Sequence, residues 1–572
     1  MSSFQYNYLQ SAKLAFINKE NQESHFGILE IMSKQISHSL IEHLELYFNI
    51  DISGSMIEQC KDGNTKIHHA KATITNLLTT LYNDFKYLKI SVIINGFESS
   101  IHKILDVSDL KDHDLTNDIF PKITKLQPLA STNIELALKT ATQLLDSDTK
   151  EQTDTKKISK KVHILITDGD STEGIIAPEI LRTFMPKTAK NIILGIGVNY
   201  NANALQIISS GNSSIFKHIN EAETIGLYVA EIIHAILYQT IADLTITVEN
   251  AEIYNFITSQ WKNTLHVDSI ASEQRKTYHI RSSFTNNIKV NMVWTTNNIQ
   301  GTHSISEYTF SDDVIKYKHR QDVLELLHSA LEFSKEKKYI SKSHIFNNRK
   351  RQLLYDIDVH APEQSLDPFI IDIIKQIKAE EEKEKHEILD RENKKKDIKQ
   401  ALKILALKLM YYMEEKQLQT DIFYIRLCKD LTVAIDSIDK NNAEILINTR
   451  LDSQGRQETY TCNPDFEDNN NNNNNNNIPF TRASYNIDDY SQNEYPYEDK
   501  EYEDKGKEDK GKEDEDKEDK NKEDEEYNKM LIKLNISTNS QKNKLASPYA
   551  TYSQVKFMRG VSSTPIDDDD DE

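Results

Sequence analysis

The chain is 572 residues long, more than one hydrophobic core ordinarily serves, so several domains are expected. Its formal net charge of -21, much of it beyond residue 490, argues against nucleic acid as the main partner, because phosphate binding needs a basic face. Cys60, Cys428 and Cys462 lie far apart and form no CxxC pair, which argues against a zinc ribbon and against a disulfide framework.

In chain order, residues 1–43 read as an N-terminal segment with neither a basic, apolar leader nor a membrane-spanning run. An intracellular, cytoplasmic protein is therefore expected, with no membrane span. Residues 44–238 alternate apolar runs with amphipathic ones. Strand-like runs occur at 44–50, 88–97, 161–167 and 191–198, with a further one near 214–219. Helical spacing marks 67–85, 133–145 and 223–238. This alternation predicts an α/β domain with a doubly wound, mostly parallel sheet covered by helices on both faces. Residues 100–105 follow their neighbour too closely for a crossover helix, so an antiparallel edge strand is expected there.

From 239 to 312 the pattern changes to period two, with asparagine-rich turns, and predicts a small antiparallel β-sandwich. Trp261 and Trp294 are placed in its core. Residues 313–450 return to helical spacing, with helices expected near 323–331, 369–399, 402–414 and 423–438. The mixed charge around 381–385 reads as a solvated helix face, with a short coiled-coil surface as the sharper alternative. Residues 451–572 carry the asparagine run 469–477, Lys-Glu-Asp repeats over 498–527 and an acidic tip at 567–572, and are expected to be disordered.

The chemistry concentrates at Asp51-Ile52-Ser53-Gly54-Ser55, which leaves the first apolar run of the α/β segment. A carboxylate and two hydroxyls there are hard oxygen donors of the kind that suits Mg²⁺. Thr132, just before a helix start, adds a hydroxyl, and Asp168 adds a carboxylate at the end of another strand. Ligands bind such sheets at the carboxyl ends of the strands, so these segments can converge. Gly54 is expected to allow the turn that brings both serines inward. Asp170 and Glu173 read as loop residues, and His68-His69 as surface or packing.

The three motifs together resemble the metal-ion-dependent adhesion site (MIDAS) of von Willebrand factor A-type (VWA) domains. Asp51, Ser53 and Ser55 match the family's DxSxS motif, Thr132 its threonine, and Asp168 the aspartate of its TDG motif. Ala130 and Ser131 stand where the family usually has glycines before the threonine. The resemblance covers residues 44–238 and implies a Rossmann-like VWA domain. It further implies a metal site formed by these five residues, with Mg²⁺ as the cofactor and Mn²⁺ or Ca²⁺ as substitutes. A non-enzymatic module then grips an acidic side chain of a protein partner. The alternative is an intracellular scaffold in which the domain is structural and the helices and tail carry the interactions. The order of domains also looks like that of plant relatives with a RING ubiquitin-ligase domain, but no RING is present. Catalysis lacks a GxxxxGK[ST] loop, a GxSxG elbow, and a second aspartate two residues after Asp51, where Ser53 stands.

Overall fold

The computed structural model describes residues 8–17, 25–129, 131–147, 158–197, 200–210, 214–219, 221–283, 287–296, 299–336, 368–440, 442–458, 525–531 and 551–562. Two compact units divide the chain, residues 463–533 forming one and the remainder the other. Within the larger unit the chain begins with β1 (Leu9–Phe16) and β2 (His25–Ser33). The α/β part follows, with β3 (His43–Asp51), β4 (Lys89–Phe97), β5 (Ile101–Val107), β6 (Ser159–Thr167), β7 (Lys190–Ile196) and β8 (Ser214–Ile219). Their spatial order is β5-β4-β3-β6-β7-β8. All neighbours are parallel except β5, which pairs antiparallel with β4, as the short connection required.

The central strand β3 shows why the sheet needs cover on both sides. Leu46, Phe48 and Ile50 point to one face, where they meet α1 (Lys66–Asp84) and α6 (Ile225–Leu237) in the main core. Tyr47, on the other face, packs with Ala141 and Leu145 of α3 (Ile134–Ser147). Period-two alternation with both faces buried gives the continuous apolar run read from the sequence. On α1, Ile67, Ala70, Ile74, Leu77, Leu78 and Leu81 lie at helical spacing on the buried side, and the Thr65 side chain caps its start.

The β-sandwich uses β9 (Gln239–Glu249), β10 (Glu252–Asn255), β11 (Gln260–Lys262), β12 (Thr264–Ala271), β13 (Arg275–Ser282), β14 (Lys289–Thr296), β15 (Ile299–Ile305) and β16 (Tyr308–Phe310). It also uses the N-terminal segment. β2 pairs antiparallel with β13, and β1 pairs with β2 and with β16. Residues 1–43 are thus more than the plain N-terminal segment expected: their strands contribute to the sandwich core, with Leu14, Phe16, Leu29 and Ile31 packed against Ile246, Val248 and Trp294. Trp294 is buried as expected, whereas Trp261 is half-buried beside a smaller apolar cluster.

The helical region contains a helix over 315–336, then α8 (Pro368–Lys416), α9 (Ile422–Ser437) and α10 (Ala443–Arg456). The two helices expected over 369–414 are one continuous helix, because only Gln400 and Ala401, both good helix formers, separate them. Residues 385–390 on it are exposed, in keeping with a solvated face. Within the segment expected to be disordered, Tyr552–Val561 is a helix with a capping box at Thr551 and Gln554. Its Phe557, Met558 and Val561 join the main core beside α1 and α6. The asparagine run, most of the Lys-Glu-Asp repeats and the acidic tip lie outside the described residues, as does Cys462. No helix among the described residues is long and apolar enough to cross a membrane.

Candidate metal site

The carboxyl ends of β3 and β6 are neighbours in the parallel sheet, and this register brings Asp51 beside Thr167 and Asp168. Asp51 is fully buried. Its Oδ1 accepts from the Ser53 backbone N–H at 2.8 Å and its Oδ2 from the Thr167 hydroxyl at 2.6 Å. Burial pushes its carboxyl up to about 6, against the lowering effect of those hydrogen bonds. Ser53 follows in extended backbone, and Gly54–Ile57 forms a 3₁₀ turn. Gly54 takes no left-handed backbone angle, so the turn does not depend on glycine in the way anticipated.

The turn aims both hydroxyls the same way. Ser53 Oγ and Ser55 Oγ are 3.1 Å apart, and Ser55 Oγ donates to Asp168 Oδ1 at 2.7 Å. Thr132 reaches the same place from the loop before α3. A Cβ at Gly169 would stand 3.7 Å from Thr132 Oγ1 and 3.8 Å from Ser55 Oγ, an ordinary contact distance from each, so the two hydroxyls border one space. The Thr132 loop is held by the loop after β6: Thr172 N–H donates to Thr132 O at 2.8 Å, and Thr132 N–H donates to Thr172 Oγ1 at 3.0 Å. All five expected donors therefore sit at one edge of the sheet. Asp51, Ser53, Thr132 and Asp168 are buried, and Ser55 is exposed.

This donor set suits a hard divalent cation. Neighbouring oxygens around an octahedral Mg²⁺ with bonds of about 2.0–2.1 Å lie about 2.9 Å apart. The Ser53–Ser55 and Ser55–Asp168 separations of 3.1 and 2.7 Å bracket that edge. Among the described residues no three His, Cys, Asp or Glu side chains gather as a metal cluster. Here the donors are two carboxylates and three hydroxyls, which leave a bound cation short of negative charge.

Three residues at the site were not singled out in the sequence. Thr167 holds Asp51, and Thr172 fixes Thr132. The third, Lys66, opens α1, and its Nζ lies 2.8 Å from Asp168 Oδ2 while also pairing with Glu58. Burial works against its ammonium, but Asp168 and Glu58 outweigh burial and raise its pKa. Lys66 thus occupies the Asp168 oxygen that Ser55 does not. Asp170 accepts from the Asn201 N–H at 2.5 Å, a loop contact. His68 is exposed, and His69 packs inward near Asp62 at 3.2 Å.

The von Willebrand factor type A domain family matches residues 45–229. Inter-alpha-trypsin inhibitor heavy chain H3 of Mesocricetus auratus is 23% identical over 276 residues, which are 47% of this chain and 28% of that protein. The chain thus spans little more than a quarter of the relative's length. Among solved structures, VWA2, the ArnB paralog from Sulfolobus acidocaldarius, aligns over 79% of this chain and 100% of its own at 14% identity, with a TM-score of 0.41. Proximal thread matrix protein 1 from the mussel byssus, solved with a zinc-occupied MIDAS motif, aligns over 36% of this chain and 47% of its own at 19% identity, with a TM-score of 0.26. The strand order, the two-sided helical cover and the family match agree: residues 45–229 are a von Willebrand factor type A domain.

Proposed function

We propose that the chain is a non-enzymatic binding protein whose A domain holds Mg²⁺ and grips an acidic side chain of a protein partner. Domains of this type serve as protein-interaction modules. The observation that carries the reading is the convergence of Ser53, Ser55 and Asp168 at octahedral-edge spacing, with Thr132 facing the same space. When bound, the ion supplies an electrophilic position for one carboxylate oxygen of the partner. Ser53, Ser55 and Thr132 hold it through neutral oxygens. Asp168 contributes Oδ1 while Lys66 holds its Oδ2, and Asp51 anchors the turn and contributes through its buried carboxylate. Mn²⁺ or Ca²⁺ can substitute.

The surface around the site favours a protein partner. Ile57, Leu129 and Ile176 lie on the three loops that carry the donors, and they are 63%, 47% and 66% exposed. Large apolar side chains left in water beside a polar centre are the usual makings of an interface. The test is partner capture from cell lysate by the full chain in Mg²⁺, in EDTA, and with Asp51→Ala. The proposal expects capture in Mg²⁺ alone. Equal capture in all three conditions overturns it.

A further inference from the structure

A cavity of about 700 Å³ opens at the opposite end of the parallel sheet from Asp51 and Asp168. Its walls are the amino-terminal ends of β6 and β7, one side of α6, the sandwich strands β10, β12 and β13, and residues 455–458 at the end of α10. All of these belong to the same compact unit. The volume falls within the range of about 300–1,000 Å³ typical of small-molecule sites.

Its charge is opposite to that of the protein. Eight lysines and arginines line it against four carboxylates, in a chain whose net charge is -21. Two of those carboxylates are committed, Asp268 to Lys190 and Glu458 to Lys217, and Arg456 pairs with Asp452 outside the cavity at 2.7 Å. Arg320 is 2% exposed and donates to the Thr277 carbonyl at 2.7 Å and to His279 Nε2 at 3.0 Å. Lys276 donates to the backbone carbonyls of Arg456 at 2.7 Å and Gln457 at 3.1 Å. Among the described residues no carboxylate lies at ion-pair distance from Lys160, Lys187 or Lys276. Burial, with Arg320 and Arg456 nearby, lowers the Lys276 pKa to about 8 against the pull of Glu231 and Glu458.

The remaining wall mixes polar side chains, such as Gln239, Asn255 and Gln274, with apolar and aromatic ones, including Tyr254, Phe256, Ile232 and Leu265. A charge excess of three, eight cations less the four lining anions and the Asp452 that pairs with Arg456, exceeds what one carboxylate neutralises and matches a di- or triphosphate. Tyr254, packed on one side against Trp261, and Phe256, packed against Gly455, are the aromatic groups that a planar ring would meet. We propose that this cavity binds an organic polyphosphate with a planar ring, of the nucleoside di- or triphosphate class. The phosphates meet the Lys160, Lys187, Lys276 and Arg320 side, and the ring meets the aromatic side.

The test is calorimetric titration of the full chain in EDTA, which keeps the result independent of any metal site at Asp51. ATP, inorganic tripolyphosphate and adenosine separate charge from ring. The expected result is one ATP per chain, tripolyphosphate weaker by about tenfold, and no heat from adenosine. Lys276→Gln is expected to weaken ATP binding by about tenfold or more, the loss of one charged hydrogen bond. Lys160→Glu with Lys187→Glu alters the cavity mouth without touching its buried wall, and is expected to weaken binding at least as much in a chain with unchanged melting temperature. No ATP binding at millimolar concentration overturns the proposal, as does wild-type affinity in the Lys160→Glu/Lys187→Glu chain. Tripolyphosphate binding as tightly as ATP overturns the nucleoside assignment.

Discussion

Replacing Lys66 with methionine keeps the length of the side chain and removes its charge. In the structure that charge sits 2.8 Å from Asp168, whose side chain is fully buried, and Lys66 itself is 11% exposed. Removing one partner of a buried ion pair costs about 3–5 kcal/mol, because the other charge is left without compensation. The second partner, Glu58, is 55% exposed and returns to water, so the loss is taken at the lower end, about 3 kcal/mol. For a domain of this size about 2–4 °C of melting temperature accompanies each kcal/mol, so Lys66→Met is expected to melt about 6–12 °C lower in EDTA. Saturating Mg²⁺ restores a positive charge beside Asp168 and is expected to recover most of that loss. Scanning calorimetry of the wild-type and variant chains, each in EDTA and in Mg²⁺, gives the comparison. An equal loss in both conditions, or none in either, refutes the reasoning.

Ser55→Ala removes the hydroxyl that donates to the buried Asp168 carboxylate at 2.7 Å, so it is expected to cost about 1.5–3 kcal/mol in the metal-free chain while Mg²⁺ affinity falls by about tenfold or more; urea unfolding and metal titration read the two effects separately. Thr167→Val strips one hydrogen bond from the buried Asp51 carboxylate and is expected to cost about 1.5–3 kcal/mol in urea unfolding of the metal-free chain. His234 is fully buried between Tyr238 and Phe557, neither ring nitrogen has a hydrogen-bond partner among the described residues, and burial lowers its pKa to about 3. Its contribution is present above the ordinary value of 6.5 and is lost as pH falls from there toward 3, by about 2 kcal/mol at pH 5. Hydrogen exchange in the Tyr552–Val561 helix is expected to quicken from pH 8 to pH 5 after correction for intrinsic rates, and His234→Phe is expected to flatten that response. Gly27→Ala would set a methyl group 2.5 Å from the Phe16 ring and is expected to cost about 1–3 kcal/mol, placing β1 and β2 in the sandwich core.

The sheet and its motif positions were legible because their signals are local. β3 is a near-continuous apolar run because both its faces are covered, and its donors follow it directly in sequence. The antiparallel β5 was legible from a connection too short for a crossover. What escaped depends on partners far along the chain. β1 and β2 pair with β13 and β16, more than two hundred residues away, and little in residues 1–43 announces those partners. Lys66 reads as one more lysine at a helix start until the fold brings it to Asp168, 102 residues on. Tyr552–Val561 has ordinary helical spacing and a capping box, but it stands among biased sequence and meets its apolar partners only across the chain.

Metal binding by the five donors is the step on which the account rests. Calorimetric titration of the metal-stripped full chain with Mg²⁺, beside Asp51→Ala and Asp168→Ala, measures it directly against the background of the acidic tail, which all three share. The account predicts one saturable site per chain in the wild type and its loss in both variants. A site of unchanged stoichiometry and affinity in either variant contradicts it.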